Sequence, residues 1–157
     1  MVMPWPKKEN LPEIPSPSAR VRSGAHRPLR VLVVDDHLLV RCATRRQLQE
    51  IPGLQVVGEA TDGLEAVALT RTLKPDLIIM DISMPTLDGI EATRRIKADF
   101  PNIHIIVLSS HEGNPFHQQA LDAGANGYVV KGRPAEQLTT AVTPLIANSK
   151  RPDQNRS

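Results

Sequence analysis

Acidic, hydroxyl and amine side chains follow four short apolar segments of the 157-residue chain. Asp35 and Asp36 follow VLVV, Asp81 follows DLIIM, Ser109 ends IHIIVLS, and Lys131 follows GYVV. Three close carboxylates repel one another unless a cation is present, and Mg²⁺ takes carboxylate and phosphate oxygens as ligands. If these segments end at one place, an aspartate there could attack phosphorus while a metal and the amine balance the charge.

The apolar segments have the length and β-branched composition of strands. Their predicted ranges are Val31 to Val34, Leu54 to Ala60, Asp76 to Met80, Ile103 to Leu108 and Gly127 to Val130. The first, third and fourth are almost continuously apolar, which indicates central strands covered on both faces. The second alternates more and suits an edge.

Helical patterns follow each predicted strand. They cover Leu38 to Ile51, Ala66 to Leu73, Ile90 to Phe100, Pro115 to Ala123, and Leu138 to Leu145. Pro144 should kink or stop the last helix, because proline lacks the amide hydrogen. The alternation predicts an α/β fold, (βα)₅, with an open doubly wound parallel sheet. In such sheets the ligand site lies beyond the carboxyl ends of the strands.

Basic residues are concentrated at the two ends of the chain. Residues 1–28 contain five Lys/Arg and two Glu, and residues 148–157 contain three Lys/Arg and one Asp. Residues 29–147 therefore carry eleven basic and fourteen acidic side chains. The first segment also holds six of the fourteen prolines. We predict disordered tails at 1–28 and 148–157, one folded domain at 29–147, and no direct nucleic-acid binding.

The composition also bears on the cellular compartment. Cys42 is the only cysteine, which excludes an intrachain disulfide and favours a reducing environment. No apolar run approaches the roughly 20 residues of a membrane span, and prolines from Pro4 onward interrupt any signal-peptide core. We therefore expect a cytoplasmic protein with no membrane association.

Four motifs resemble those of response-regulator receiver domains, which have the CheY-like, flavodoxin-like fold. They are VLVVDDH, DLIIMDISMPTLDGIEATRRI, IIVLSSH and AGANGYVVKG, and they lie in the family's order between residues 29 and 147. The subtype most resembled usually precedes a LuxR/NarL-type helix-turn-helix output domain. The resemblance implies strand order 2-1-3-4-5 and a phosphorelay switch in a bacterial two-component system, rather than an enzyme.

The resemblance also implies residue roles. Asp81 would accept a phosphoryl group from a phosphohistidine of a sensor histidine kinase. Asp35, Asp36, Asp81 and the backbone carbonyl of Ser83 would hold Mg²⁺ or Mn²⁺, with Asp36 a more direct ligand than Asp35.

Three further residues would transmit the change. The resemblance makes Ser109 the switch hydroxyl, Lys131 the partner of the phosphate, and Tyr128 the aromatic ring that follows Ser109. The output would be the surface of the fourth helix, fifth strand and fifth helix, through which a homodimer could form to control transcription. Gly132 stands where many receivers have a proline after the lysine.

Simpler roles stay open for several of these residues. Asp36 could cap the following helix, Asp81 could lie in a turn, and Tyr128 could be a half-buried strand aromatic. Asp62 with Glu65, and Asp88 with Glu91, have capping-box spacing.

Other functions also stay open. A receiver-like module could bind partners without phosphorylation. A Mg²⁺-dependent aspartyl-phosphate phosphatase is a weaker alternative, because Ser83 occupies the position where such enzymes usually have a second acid. Only 26 residues follow Lys131, which leaves no room for a helix-turn-helix. We therefore expect either a stand-alone receiver or the excised receiver of a longer regulator.

Overall fold

The computed structural model describes residues 27–110, 114–132 and 135–149. Within these residues, five strands alternate with five helices. They are β1 (Leu29–Val34), α1 (Leu38–Gln49), β2 (Leu54–Ala60), α2 (Gly63–Leu73), β3 (Leu77–Asp81), α3 (Gly89–Asp99), β4 (His104–Ser109), α4 (Asn114–Asp122), β5 (Gly127–Val130) and α5 (Ala135–Ser149). The strands form one parallel sheet in the order β2-β1-β3-β4-β5. The predicted fold class and strand order are confirmed.

Alternate residues of the central strands enter two separate cores. In β1, Val31 and Val33 belong to the core that includes side chains of α1 and α5, whereas Leu32 and Val34 belong to the core that includes α2, α3 and α4. Strand β3 divides in the same way, and all five of its residues are buried. Both faces of these strands are therefore covered, which explains why their sequences are continuously apolar. Strand β2 lies at an edge and is mostly half-buried, as its pattern predicted.

Two helices begin at the predicted acidic caps. Asp62 accepts a hydrogen bond from the backbone N–H of Glu65 at 2.8 Å, and Asp88 accepts one from that of Glu91 at 2.8 Å. Each cap satisfies an amide group that has no partner within its helix. The caps therefore fix where α2 and α3 leave the carboxyl edge of the sheet.

Of the two outcomes predicted for Pro144, a kink or a stop, the stop does not occur. Helix α5 continues through Pro144 to Ser149. Val142 and Ile146, on either side of the proline, are both buried in the core shared with α1. Burial of these side chains outweighs the hydrogen bond that Pro144 removes.

The ends of the domain differ slightly from expectation. Asn148 and Ser149 belong to α5, although they were assigned to a tail. Residues 1–26 and 150–157 lie outside the described part of the chain, so the tail predictions stay predictions. Among the described residues, no helix has both the length and the apolar character needed to cross a membrane.

Candidate functional site

The neighbouring strands β1 and β3 bring three aspartates together at the carboxyl edge of the sheet. Val34 pairs with Met80 in the strand register, so Asp35 and Asp81, the next residues, lie side by side. Asp36 follows directly. One carboxylate oxygen from each of these aspartates can be chosen so that all three lie within 4.8 Å of one another. Asp35 and Asp81 are buried, whereas Asp36 is exposed.

Lys131 reaches this cluster from the end of β5, although β4 lies between β5 and β3. Its Nζ atom is 2.8 Å from Oδ2 of Asp35 and 2.9 Å from Oδ1 of Asp81. The next residue, Gly132, has a φ of +79°, which proline cannot adopt because its ring holds φ near −65°. Gly132 thus allows a turn after Lys131 that a proline at this position would prevent.

The environment of the site shifts the pKa of both Asp81 and Lys131. Burial raises the pKa of Asp81, and the nearby charge of Asp35 adds to the increase, while the hydrogen bond from Lys131 opposes it. Burial alone would lower the pKa of Lys131, but its hydrogen bonds and charge interactions with Asp35 and Asp81 outweigh burial and raise it. One ammonium group therefore compensates only part of the charge of the crowded acids.

The first aspartate, not the second, contacts the start of α1. The N-cap of α1 is His37, which makes no side-chain capping hydrogen bond. Asp35 accepts a hydrogen bond from the backbone N–H of His37 at 2.8 Å through its Oδ1 atom. Asp36 is therefore not the helix cap that the simpler interpretation proposed, and its exposed carboxylate lies at the rim of the cluster.

The loop from Ile82 to Asp88 is held against the site by backbone contacts. Gly89 donates a hydrogen bond to the carbonyl of Ile82 at 2.8 Å. Gly63 donates one to Leu87 at 3.1 Å, which joins the loop to the start of α2. Thr86 has a φ of +68°, inside the left-handed region that non-glycine residues seldom adopt. Ser83 lies exposed in this loop, two residues after Asp81.

The other two predicted residues lie on the neighbouring strands. Ser109 ends β4, is buried, and accepts a hydrogen bond from the backbone N–H of Lys131 at 2.7 Å through its carbonyl. Tyr128 is half-buried on β5, and its ring stacks on that of His117 in α4 with centroids 5.0 Å apart. The structure thus gathers the acids and the amine at one point. Tyr128 lies earlier in β5 than the end that carries Lys131, and its ring contacts His117 of α4.

The cluster fits a hard divalent cation. Three ionised carboxylates and one ammonium leave a formal charge of −2, which one Mg²⁺ or Mn²⁺ would balance. All the carboxylate ligands are oxygens, as these ions prefer, and the exposed position of Asp36 leaves room for water or phosphate oxygens. Asp35, Asp36, Asp81 and the Ser83 carbonyl are the residues that would hold the ion.

Sequence reasoning missed two side chains near the site. Arg41 of α1 donates a hydrogen bond to the main-chain carbonyl of Asp35 at 2.9 Å. His117 forms the ring stack with Tyr128. Arg41 contacts the loop that precedes its helix and His117 contacts a residue of β5, so periodicity within one helix carries no signal for either contact. The charged Glu59 within the mostly apolar strand β2 was the one visible hint, because Arg41 also binds it.

Comparisons with known proteins agree with this geometry. The family model of the response regulator receiver domain matches residues 31–143. The response regulator GacA of Pseudomonas aeruginosa is 43% identical over 122 residues, which are 78% of this chain and 57% of that protein. UvrY of Escherichia coli is 41% identical over 122 residues, 78% of this chain and 56% of that protein. The chain thus spans a little over half the length of these relatives.

Solved structures show the same architecture. A LuxR-family two-component response regulator from Aurantimonas superposes with a TM-score of 0.73 at 39% identity, covering 77% of this chain and 86% of that one. The receiver domain of the putative response regulator NarL from Mycobacterium tuberculosis gives 0.73 at 30% identity, covering 78% and 98%. The chain belongs to the response-regulator receiver domain family of two-component signalling, and its relatives place it in the LuxR/NarL subtype.

Proposed function

We propose that Asp81 accepts a phosphoryl group from a phosphohistidine of a sensor histidine kinase, with Mg²⁺ bound beside it. The observation that carries this proposal is the position of the Lys131 amine, within 3 Å of both Asp35 and Asp81, at the point where Asp36 completes a cation-binding set. A nucleophile for phosphorus needs an ionised carboxylate with positive charge nearby to balance the incoming phosphoryl oxygens. Asp81 has such surroundings.

In the proposed reaction, a carboxylate oxygen of Asp81 attacks phosphorus while the P–N bond of the phosphohistidine breaks. The imidazole leaves with the bonding electron pair, and an acyl phosphate forms on Asp81. Lys131 would follow the transferred group, exchanging its contact with the Asp81 carboxylate for one with a phosphoryl oxygen. When bound, Mg²⁺ supplies further charge neutralisation.

The proposed switch would run through the next two strands. Lys131 is tied to Ser109 by a backbone hydrogen bond at 2.7 Å, so a change around the phosphoryl group would reach the ends of β4 and β5 together. The Ser109 hydroxyl would bind a phosphoryl oxygen, and Tyr128 would change its packing against α4. The surface formed by α4, β5 and α5 would then change its affinity for a partner, such as a second copy of the chain. Control of transcription in the cytoplasm is the output we propose.

Phosphorylation can be tested with a small phosphodonor. The protein is incubated with acetyl phosphate and Mg²⁺, and its intact mass is measured. We expect one added phosphoryl group in the wild type and none in Asp81→Asn or in the presence of EDTA. Asp88→Asn is the matched control, because Asp88 caps α3 nearby and asparagine caps helices equally well. This variant should be labelled like the wild type.

The same experiment separates the alternatives. A label that persists in Asp81→Asn would place the acceptor elsewhere and contradict the proposal. Complete absence of labelling in a folded protein that binds Mg²⁺ would favour a phosphorylation-independent interaction module. The phosphatase alternative needs a separate assay, in which continuous release of phosphate from phosphate esters, with many turnovers per protein, would favour it.

The proposed output surface needs its own test. Sedimentation velocity would compare the chain with and without beryllofluoride, a mimic of the phosphoryl group. We expect beryllofluoride to shift the chain towards a dimer. Thr140→Arg, which adds bulk and charge to an exposed position of α5 near Tyr128, should prevent that shift. Ala98→Arg, exposed on α3 outside the surface, should leave it unchanged. A dimer that survives Thr140→Arg but not Ala98→Arg would contradict this assignment.

A further inference from the structure

Asp35 has a contact on each of its four polar groups. Its backbone N–H donates to the carbonyl of Ala60 at 3.0 Å, and its carbonyl accepts from Nη1 of Arg41 at 2.9 Å. Its Oδ1 accepts from the His37 N–H and its Oδ2 from Lys131, both at 2.8 Å. The contacts with Ala60 and His37 are made by backbone groups, and Lys131 takes part in the proposed reaction. The contact from the Arg41 side chain has no role in the strand pairing or in that reaction.

Arg41 is itself held by the edge strand. Its Nε donates to Oε1 of Glu59 at 3.1 Å, while the other carboxylate oxygen, Oε2, accepts from Arg45 at 3.1 Å. The Arg41 side chain is only 13% exposed and that of Glu59 is 30% exposed. This ion pair is thus better shielded than an ordinary surface pair, which contributes little.

The planar guanidinium converts this ion pair into a directional constraint. Its Nε–H and Nη1–H groups point in fixed directions, so binding of Nε by Glu59 determines where Nη1 donates. The accepting carbonyl of Asp35 belongs to the planar peptide group that joins Asp35 to Asp36. Fixing that carbonyl therefore orients both acids at once. A lysine could not reproduce this, since it presents a single ammonium group.

We infer that Arg41, oriented by Glu59, is a positioning residue for divalent-cation binding by Asp35 and Asp36. The inference rests on the cation site of the proposed function. Arg41 touches neither the carboxylate oxygens of Asp35 nor the phosphoryl position. It acts through the peptide group between the two acids, and it connects that group to the end of β2.

The sign of the effect on metal affinity tests the inference. Arg41 is a cation close to a cation site, so electrostatics alone predict that Arg41→Met tightens metal binding. Positioning predicts the reverse. We expect Arg41→Met and Arg41→Lys to weaken Mn²⁺ binding by about 10-fold or more, as loss of such supporting contacts commonly does. Glu59→Gln should weaken it less, because its amide oxygen still accepts from Arg41.

Binding is measured on the full chain without phosphodonor, from the electron paramagnetic resonance signal of free Mn²⁺, and repeated with Mg²⁺ as competitor. Arg45→Met is the matched control, since Arg45 binds Glu59 without touching Asp35. Arg71→Ala, which removes an exposed ion pair with Asp99, is a second control. Both controls should bind Mn²⁺ like the wild type. Urea unfolding in EDTA measures the stability of every variant separately.

The outcomes distinguish this inference from the proposed function. Equal or tighter Mn²⁺ binding by Arg41→Met, with normal binding by the wild type, would overturn the positioning role alone. Wild-type affinity in Arg41→Lys would do the same, because lysine lacks the two fixed donor directions on which the positioning role depends. Absence of binding by the wild type would overturn the cation site and this inference together. If Arg41→Met does not fold, Arg41→Lys and Glu59→Gln decide the matter.

Discussion

Gly89 packs directly against the main-chain carbonyl of Asp81. A methyl group on Gly89 would lie 1.8 Å from that oxygen and 3.0 Å from the Cα of Ile82. The first turn of α3 therefore supports the residue that carries the proposed reactive carboxylate. Because these atoms belong to the backbone of Asp81 and Ile82, they cannot move aside as the end of a flexible side chain would.

Gly89→Ala should consequently destabilise the fold by about 2–4 kcal/mol, since the start of α3 must move away from the end of β3. Urea unfolding of the variant and the wild type would measure the loss. Gly132→Ala is a useful comparison, because a methyl there meets nothing within 4 Å. Only the positive φ of +79° opposes it, at about 1–2 kcal/mol. A smaller loss for Gly89→Ala than for Gly132→Ala would contradict the packing described.

Asp81→Asn should make the metal-free protein more stable at neutral pH. Burial and the charge of Asp35 raise the Asp81 pKa above its usual 3.8, so the folded state binds more protons than the unfolded state just above that pH. Stability from this group is therefore greatest at low pH and falls as pH rises through the folded pKa. Asparagine carries no charge and removes this loss.

Urea unfolding in EDTA across a pH series from 3 to 7 would test the Asp81 prediction. The difference in unfolding free energy between Asp81→Asn and the wild type should grow with pH. Mg²⁺ should stabilise the wild type more than the variant, because it compensates the charge that asparagine lacks. A difference that shrinks as pH rises would mean that the Asp81 pKa is lowered instead.

His104 is the first residue of β4 and lies at the opposite end of the strands from the aspartate cluster. It should give the reverse pH dependence. Burial lowers its pKa below 6.5, and the charge of Lys97 adds to the decrease while Asp76 opposes it. The unfolded state therefore binds more protons just below pH 6.5, so this contribution to stability is complete above that pH and is lost as pH falls.

Nuclear magnetic resonance titration of the His104 ring would measure this pKa directly, with His104→Gln used to assign the signal. Lys97→Met should move the His104 pKa upward, since it removes a nearby positive charge. Unfolding experiments should show a smaller loss of stability between pH 7 and 5 in His104→Gln than in the wild type. A ring pKa above 6.5 would contradict the prediction.

Pro144→Ala should stabilise the protein by about 1–3 kcal/mol, because it restores an amide hydrogen and removes a clash within a helix that the structure shows to be continuous. The position is exposed, so the change in side-chain burial is small. Thr143→Ala, at the exposed neighbouring position, should change the stability by only a few tenths of a kcal/mol. Thermal unfolding would compare the two. No gain for Pro144→Ala would indicate that α5 ends earlier in solution.

The parts of the fold that follow from local pattern could be predicted. Strands β2 and β5 have the predicted bounds, and the other strands differ by one or two residues. The apolar pattern predicted central strands because both faces of β1, β3 and β4 are covered. It could not decide whether the last helix stops at Pro144, since burial of Val142 and Ile146 by distant residues decides that question.

The candidate site was predictable in its residue types and only partly in its contacts. Side chains that follow strand ends share an edge in any parallel sheet, which is why Asp81 and Lys131 could be paired in advance. Whether Asp35 or Asp36 contacts the helix depends on the backbone at His37. The link from Arg41 to Glu59 joins residues 18 positions apart on different elements, and neither periodicity nor spacing indicates it.

The ammonium of Lys131 meets the carboxylate of Asp35 across 96 positions of the chain. During synthesis, the acidic pair and Asp81 leave the ribosome long before the amine that balances them. If the first three strands assemble before β5 is made, the aspartates at their ends carry like charges that no lysine compensates. The charge balance at the carboxyl edge is therefore complete only when β5 has joined the sheet and brought Lys131 to Asp35 and Asp81.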